Sequence, residues 1–517
     1  MISLITALPV AGAVVVLLVG GRSAAMTRWI ALGFSFAVLA LTLVLWCHFD
    51  AGAGAAAGAM QFEERHAWIP ALGVEYRVGV DGLGLLMMAL TAIVVPMGIA
   101  ASWQIEERVG LYSALVLGLE ACMLGSFTAL NFFHWFLYWE LGLVPAFFLM
   151  KLWGGRRRTA AATQFLVYTM VGSVAMLLAF LAIFLATKTF DFAELAALAQ
   201  SGQLMPAVVA KLAWRGVTPE HVAMILFGGA FLGFAVKVPL VPFHTWLPAA
   251  YAEAPTGTTI LLTGAMSKMG VYGFLRILLP IFGPQMRAVL TPLEWLAVAT
   301  IVFSAYAALA QRDMKRVFAY SSVNHLGYAM LAIFAVLRAT GGDAGMAAQK
   351  YAAMNGAMLQ MFNHGLTAAT VFWCIALLEK RSGGLRGVDD FGGLRKAMPV
   401  FAGLMGIALF SSLGLPGLNG FVGEFLIFKG SFPLATWATS LAALGLLATA
   451  IFILGVIQRV FSGPPIELWA GVADLSVGER MALAPAIALM FALGLWPQLV
   501  LGAINSTVTA MVQHLRF

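Results

Sequence analysis

The sequence predicts an all-α polytopic membrane protein of about fourteen transmembrane helices, built around two inverted five-helix repeats, each with a discontinuous helix. Three observations carry that expectation. The chain has 517 residues, of which 62% are hydrophobic and 10% charged, with a mean hydropathy of +0.93. A soluble domain is about 45–50% apolar and about 25% charged, so this chain cannot cover itself with polar surface in water. Apolar runs of about 20 residues, enough to cross about 30 Å of hydrocarbon, recur along its whole length. Two of those runs are interrupted by proline and glycine at unequal distances from the termini. A soluble multidomain enzyme, a disordered chain, a disulfide-rich secreted fold and a nucleic-acid-binding domain are excluded by the same arithmetic.

The crossings read, in order, Ile2–Val19, Trp29–Trp46, Gly82–Trp103, Leu111–Leu130, Phe132–Met150, Thr163–Thr187 and Val222–Leu247. They continue with Gly257–Phe282, Leu293–Gln311, Val317–Val336, Ala352–Leu378, Pro399–Ser431, Thr436–Phe461 and Met481–Ile504. The first run has no basic segment before it and so reads as a membrane helix rather than a signal peptide. The longest loops, Cys47–Asp81 and Lys188–His221, are too short to fold alone, which leaves one membrane domain over 1–517. Within it, 1–110 holds three N-terminal helices, 111–282 and 290–461 the two repeats, and 480–517 a C-terminal helix. Cys47, Cys122 and Cys374 lie far apart in apolar runs and have no metal-ligand or redox spacing.

Orientation follows from Lys and Arg between the crossings. Loops after odd-numbered crossings carry seventeen of these bases and the opposite side nine, with Lys237, Lys268, Arg276 and Lys429 inside crossings. This places both termini on the outer, periplasmic face of a bacterial inner membrane. The seventh crossing breaks in KVPLVPFHTWLP at Pro239 and Pro242. The twelfth breaks in GLPGLNGFVGE at Pro416, Gly417, Gly420 and Gly423. Proline removes a backbone donor and clashes with the preceding turn, so each helix must unwind there. Unwound backbone inside a bilayer lines a cavity or is buried in protein. The breaks are five crossings apart, so the matching helices run in opposite directions, and functional groups are expected beside them.

Ionisable groups in hydrocarbon cost several kcal/mol (about 2.5–3.5 by insertion scales) and each needs a reason. Glu140 lies about 12 Å into the fifth crossing, Lys268 about 17 Å into the eighth, His325 about 12 Å into the tenth and His364 about 18 Å into the eleventh. Lys237 and Glu424 flank the two breaks. Six titratable groups thus sit close to the bilayer midplane. A solute pore would spread polar groups along the membrane normal. A set at one depth suits proton transfer within the membrane plane, because Glu, Lys and His can each take and give a proton whereas Arg in practice cannot. Arg276 is near a helix end, from which it is expected to snorkel to the surface. Glu120 on the fourth crossing is a second candidate acid, and His244 and Glu253, flanking the first break, are candidates for a path to the inner side. Asp81 in VGVDGLG reads as a helix N-cap.

These residues lie in longer motifs: VGVDGLGLLMMALTAIVVP, FFHWFLYWELGLVPAFFLM, FLGFAVKVPLVPFHTWLPAAYAEAPT, LLTGAMSKMGVYGFLRI, RDMKRVFAYSSVNHLGY, MFNHGLTAATVF and SSLGLPGLNGFVGEFLIFKG. Together they resemble the antiporter-like membrane subunits of respiratory complex I, most of all those of the subunit M type, over nearly the whole chain. The resemblance implies a proton-translocating subunit of NADH-quinone oxidoreductase. It implies that Glu140 pairs with and tunes Lys237, that Lys237 and Lys268 pass protons toward His325 and His364, and that Glu424 is the terminal acceptor. Subunits of related cation/proton antiporters usually carry Lys where this chain has Glu424. NADH, FMN, iron–sulfur clusters and quinone are expected in partner subunits, with no cofactor or metal bound by this chain. The expected partners are L-like and N-like neighbours, the lipid bilayer and protons, with no nucleic acid. Competing readings are a subunit of an Mrp-type antiporter or membrane-bound hydrogenase, a stand-alone solute transporter and a structural scaffold.

Overall fold

A computed structural model describes residues 1–20, 23–52, 60–212, 217–339 and 344–515. Arg22, Arg215 and Arg516, which contribute to the orientation count, lie outside the described residues. Thirteen helices among the described residues are long and apolar enough to cross a membrane, and the split twelfth crossing makes the fourteenth. The first six are Ile2–Val19, Ala24–Cys47, Gly82–Ala101, Val109–Thr128, Phe132–Trp153 and Arg158–Thr187. The seventh runs as Pro219–Lys237, unwinds, and resumes as Trp246–Glu253. Then come Thr256–Ala288, Leu290–Leu309, Met314–Val336 and Ala347–Ser382. The twelfth is Pro399–Leu413 followed by Asn419–Leu434, and Thr436–Ser462 and Val477–Leu495 close the set.

Local chemistry sets many of the starts. Asp81 accepts from Gly84 N at 3.0 Å, Asn131 from His134 N at 2.8 Å and Asp313 from Lys315 N at 2.8 Å, each satisfying a backbone donor the first turn leaves open. Pro219 opens the seventh crossing at a position where its missing N–H costs nothing. Ser476 and Glu479 form a capping box at the fourteenth. The third, eighth, tenth and eleventh crossings are almost wholly buried, whereas the first, second, sixth, thirteenth and fourteenth expose most of their apolar surface. The buried four therefore form the core of the bundle. Of the six principal titratable groups, Lys268, His325 and His364 lie on three of them.

The membrane part is all-α as expected; outside it, Gln61–Ile69 and Val74–Val80 form an antiparallel hairpin in the loop after the second crossing, with Arg65 opposite Arg77 and His66 opposite Tyr76. Gly73 at φ +64° makes its turn. The last crossing ends at Leu495 rather than near Ile504, because Pro497 cannot donate to the helix it follows. A separate helix, Gln498–His514, then packs on the third and eleventh crossings. Its Thr507 hydroxyl accepts from Gly82 N at 2.9 Å, and a Cβ on Gly82 would meet the Ala503 carbonyl at 2.3 Å. Arg276 does not reach out to the surface. It forms an ion pair with Asp81, the N-cap of the third crossing, and is largely buried there.

Candidate functional site: a row of titratable groups across the bundle

The first break places Lys237 as the last residue of Pro219–Lys237. Its side chain is buried, and its ammonium has no hydrogen-bond partner among the described residues. The ammonium lies 4.8 Å from the ring centroid of Trp139, close enough for a cation–π interaction. The Trp139 indole is itself held, donating to Ser173 Oγ at 2.9 Å. Glu140 is half-buried on the fifth crossing, and its Oε1 has no partner. Among the described residues no ion pair of 4 Å or less joins Glu140 to Lys237, so the expected direct pairing is replaced by the face of Trp139. Trp139 faces Lys237 without standing out in the sequence, since one more aromatic in an apolar run carries no signal of its own.

The loop of the first break is held from outside, with Val241 N donating to Thr300 Oγ1 at 2.9 Å and the Trp246 indole to the Val236 carbonyl at 3.0 Å. His244 is buried in this loop with its ring edge-on to Phe303, at 5.3 Å between centroids, and its Nδ1 has no partner. Beside Lys237 is a cavity of about 10 Å³, which Ser267 also lines. That is about the space one water needs. It bridges the seventh crossing to the eighth.

The eighth crossing contains two π-helical turns, Leu262–Met266 and Phe274–Leu278. Such turns free backbone carbonyls and recur at functional sites. Lys268 follows the first of them and is fully buried. Its ammonium donates to the Thr263 carbonyl and to Ser267 Oγ at 3.3 Å, and meets His364 Nδ1 at 2.8 Å. When Lys268 carries its proton it can only donate, and His364 Nδ1 then accepts. The His364 and His325 rings are 5.1 Å apart. His325 Nδ1 lies 3.0 Å from Glu424 Oε1. Gln360 Nε2 bridges the two, at 3.4 Å from His325 and 3.3 Å from Glu424, and Ser412 Oγ lies 3.3 Å from His325 Nε2.

The second break delivers Glu424 to this place. Gly414 adopts φ +80° and Gly417 φ +93°, a region that penalises any residue with a Cβ. A Cβ on Gly414 would lie 2.7 Å from Glu424 Oε2, so a side chain there would displace the Glu424 carboxylate. The unwound segment is anchored to the eleventh crossing. Asn363 donates to the Asn419 carbonyl at 2.6 Å, Asn419 donates to the Asn363 carbonyl at 3.2 Å, and Ser411 donates to Asn419 Oδ1 at 2.5 Å. Backbone that lacks a helical partner is thus satisfied by side chains, as the bilayer interior demands.

Glu253 stands apart from the row. It lines a cavity of about 530 Å³ together with Arg158, Lys315, Glu379 and Arg386. There Lys315 donates to the Ala254 carbonyl and Arg386 to the Ala252 carbonyl, both at 2.6 Å, while Glu253 accepts from Arg157 N at 2.9 Å. These bases cap the C-terminal carbonyls of Trp246–Glu253. Between this mouth and Lys268 lie hydroxyls of the eighth crossing, Thr256 bonded to Glu379 and Thr263 to Ser322 Oγ at 3.0 Å. Glu120 also stands apart from the row, fully buried on the fourth crossing. Of the nine predicted residues, Lys268, His364, His325 and Glu424 are brought into one succession, Lys237 is joined to it through the small cavity, and Glu140 follows Trp139 on the fifth crossing.

A fourteen-crossing bundle with two broken helices and titratable groups between them defines an antiporter-like membrane subunit. The profile of the family described as NADH:quinone oxidoreductase/Mrp antiporter, transmembrane, matches residues 129–451, and the chain belongs to that family. It is 36% identical over 519 residues to NADH-quinone oxidoreductase subunit M of Rhodobacter capsulatus, covering 99% of this chain and 96% of the relative. It is 35% identical over 501 residues to F(420)H(2) dehydrogenase subunit M of Methanosarcina mazei, covering 94% of each. A chain of the respiratory complex I structure from Thermus thermophilus with bound NADH superposes with a TM-score of 0.84 at 27% identity, covering 100% of both chains.

Proposed function

We propose that this chain is a proton-translocating membrane-arm subunit of NADH-quinone oxidoreductase, with NADH, FMN, iron–sulfur clusters and quinone handled by partner subunits. The carrying observation is the succession Lys268, His364, His325 and Glu424, three contacts long and built wholly of groups that can bind and release a proton. Lys268 gives its proton to His364 Nδ1, His364 passes one on to His325, and Glu424 accepts it across the 3.0 Å contact. Lys237 reloads Lys268 through the cavity beside Ser267. Glu140 acts on Lys237 through the field rather than by contact. Residues 111–282 and 290–461 are read as the inverted repeats that supply the two broken helices. The basic mouth around Arg158, Lys315 and Arg386 supports placing that face in the cytoplasm, with both termini periplasmic in a bacterial inner membrane. L-like and N-like subunits are the neighbours at either end of the row.

The likeness to the F(420)H(2) dehydrogenase subunit supports a division of labour in which the donor is chosen elsewhere in the complex. The test is the number of protons moved per NADH oxidised by the purified complex in liposomes. Lys237→Ala and Glu140→Ala should assemble, oxidise NADH with quinone when uncoupled, and fail to pump. Normal stoichiometry in an assembled Lys237→Ala complex would overturn the assignment.

A further inference from the structure

Among the buried acids that the mechanism leaves unused is Glu120. Glu120 is completely enclosed, and among the described residues neither carboxylate oxygen has a hydrogen-bond partner. The fourth crossing, which carries it, packs on the first and second. From the second crossing the Ser35 hydroxyl faces the carboxyl without closing a hydrogen bond. Thr27 and Thr42, on the same buried face of that helix, fold their hydroxyls back onto the Ser23 and Val38 carbonyls at 2.9 and 2.8 Å. Ser35 does not, and its Oγ stays open toward the acid.

Depth adds a second argument. Glu120 is the twelfth residue of Val109–Thr128 and Ser35 the twelfth of Ala24–Cys47, two helices that run in the same direction. Both therefore lie about 17 Å from the inner end at 1.5 Å per residue. Glu140, the ninth residue of Phe132–Trp153, lies about 12 Å from the outer end. In a hydrocarbon core of about 30 Å these are the same level. A bare carboxylate with no partner at that depth is far costlier than a neutral acid, which needs one acceptor and one donor.

We propose that Glu120 is a proton-binding site of the membrane machinery, separate from the row, that holds its proton as a neutral carboxylic acid beside Ser35 and exchanges it with water during turnover. The carboxyl O–H bond breaks, the carboxylate remains and the proton leaves on water; reprotonation is the reverse. The inference rests on the proton-translocating reading given above. It widens the machinery toward the first and second crossings, which the row does not touch.

The test uses the whole complex in liposomes, driven by NADH, with infrared difference spectra between rest and turnover and proton counts per electron pair. Wild type should show a carboxylic-acid carbonyl band that is lost in Glu120→Gln and shifted in Ser35→Ala, and Glu120→Gln should pump fewer protons per electron pair. A band that survives Glu120→Gln, or unchanged stoichiometry in that variant, overturns the inference. Should Glu120→Gln fail to assemble, Ser35→Ala decides, and an unshifted band overturns it. Lys268→Ala run in parallel separates the two claims. Loss of pumping there with normal Glu120→Gln sinks this inference alone, whereas normal pumping in both sinks the function as well.

Discussion

The two broken crossings present opposite charges in opposite states. At the first, Lys237 has no hydrogen-bond partner among the described residues and lies over the Trp139 ring, with no ion pair of 4 Å or less to Glu140. At the second, Glu424 is in contact with His325 and is gripped by Gln360. A buried charge without a partner is costly, and a buried charge with one is held. The first break thus presents a lysine over an aromatic ring, and the second a carboxylate in contact with a histidine. Lys268 and His364, touching each other between the breaks, are where the two conditions meet. A row whose ends differ in this way has a direction, which a row of identical ion pairs would lack.

The largest test removes the junction. Lys268→Ala deletes the contacts to Thr263, Ser267 and His364 at once and leaves His364 isolated from the first break. Pumping should fall at least tenfold in an assembled complex, read as the proton-to-electron ratio in liposomes against band position on a native gel. Retained pumping would mean that the two breaks communicate by another route. Gly414→Ala attacks the second break next. The residue must hold φ +80°, which costs roughly 1–2 kcal/mol with a Cβ, and that Cβ would press on Glu424 Oε2 at 2.7 Å. The expected outcome is a lower thermal midpoint together with impaired pumping, whereas a structural role limited to the turn would lower the midpoint alone.

Trp139 offers a smaller and more selective test of the first break. A cation over an indole is worth about 0.5–2 kcal/mol, so losing it changes the proton affinity of Lys237 by a few-fold to about thirtyfold. Trp139→Leu should shift the pH profile of pumping, Trp139→Phe should shift it less, and Ser173→Ala should show how much of the effect is only the lost anchor at 2.9 Å. Equal profiles for the Leu and Phe variants would remove the ring from the account.

Much of this arrangement is legible in the sequence because the bilayer makes it expensive. A charge in an apolar run and a Pro-Gly break in a helix both need a function or a partner, so Lys237, Lys268, Glu424 and both breaks stand out. What escapes is what costs nothing to write. Trp139 is one aromatic among many, and its position over Lys237 is a matter of rotation about the helix axis. Gln360 and Asn363 look like ordinary polar residues until the second break comes beside them. The hairpin was readable in principle, since VEYRVGV alternates with the period of a strand, but it sits in a loop that hydropathy alone passes over. The end of the last crossing was hidden because the apolar run continues past Pro497 into the next helix.

The smallest expected effect lies outside the membrane, at the entrance to the second break. Asp474 accepts from Val400 N at 2.8 Å and Phe401 N at 3.0 Å, capping the helix Pro399–Leu413 that leads to Gly414. Burial alone would raise its carboxyl, but the bonds from the Leu475, Val400 and Phe401 amides and the Arg480 charge outweigh that and hold it below the usual aspartate value. A carboxyl whose folded value is depressed contributes stability that is complete above its unfolded value, about 4, and is lost as the pH falls through the folded value. The thermal midpoint of the wild type should therefore decline below about pH 4 by slightly more than that of Asp474→Asn, which has already given up the charge. Because Asp474 is only part-buried, solvent screens it and the difference should be small and confined to that acidic range. Equal declines in the two proteins would mean that this cap adds nothing to the second break, and that the asymmetry between the breaks is set wholly within the membrane.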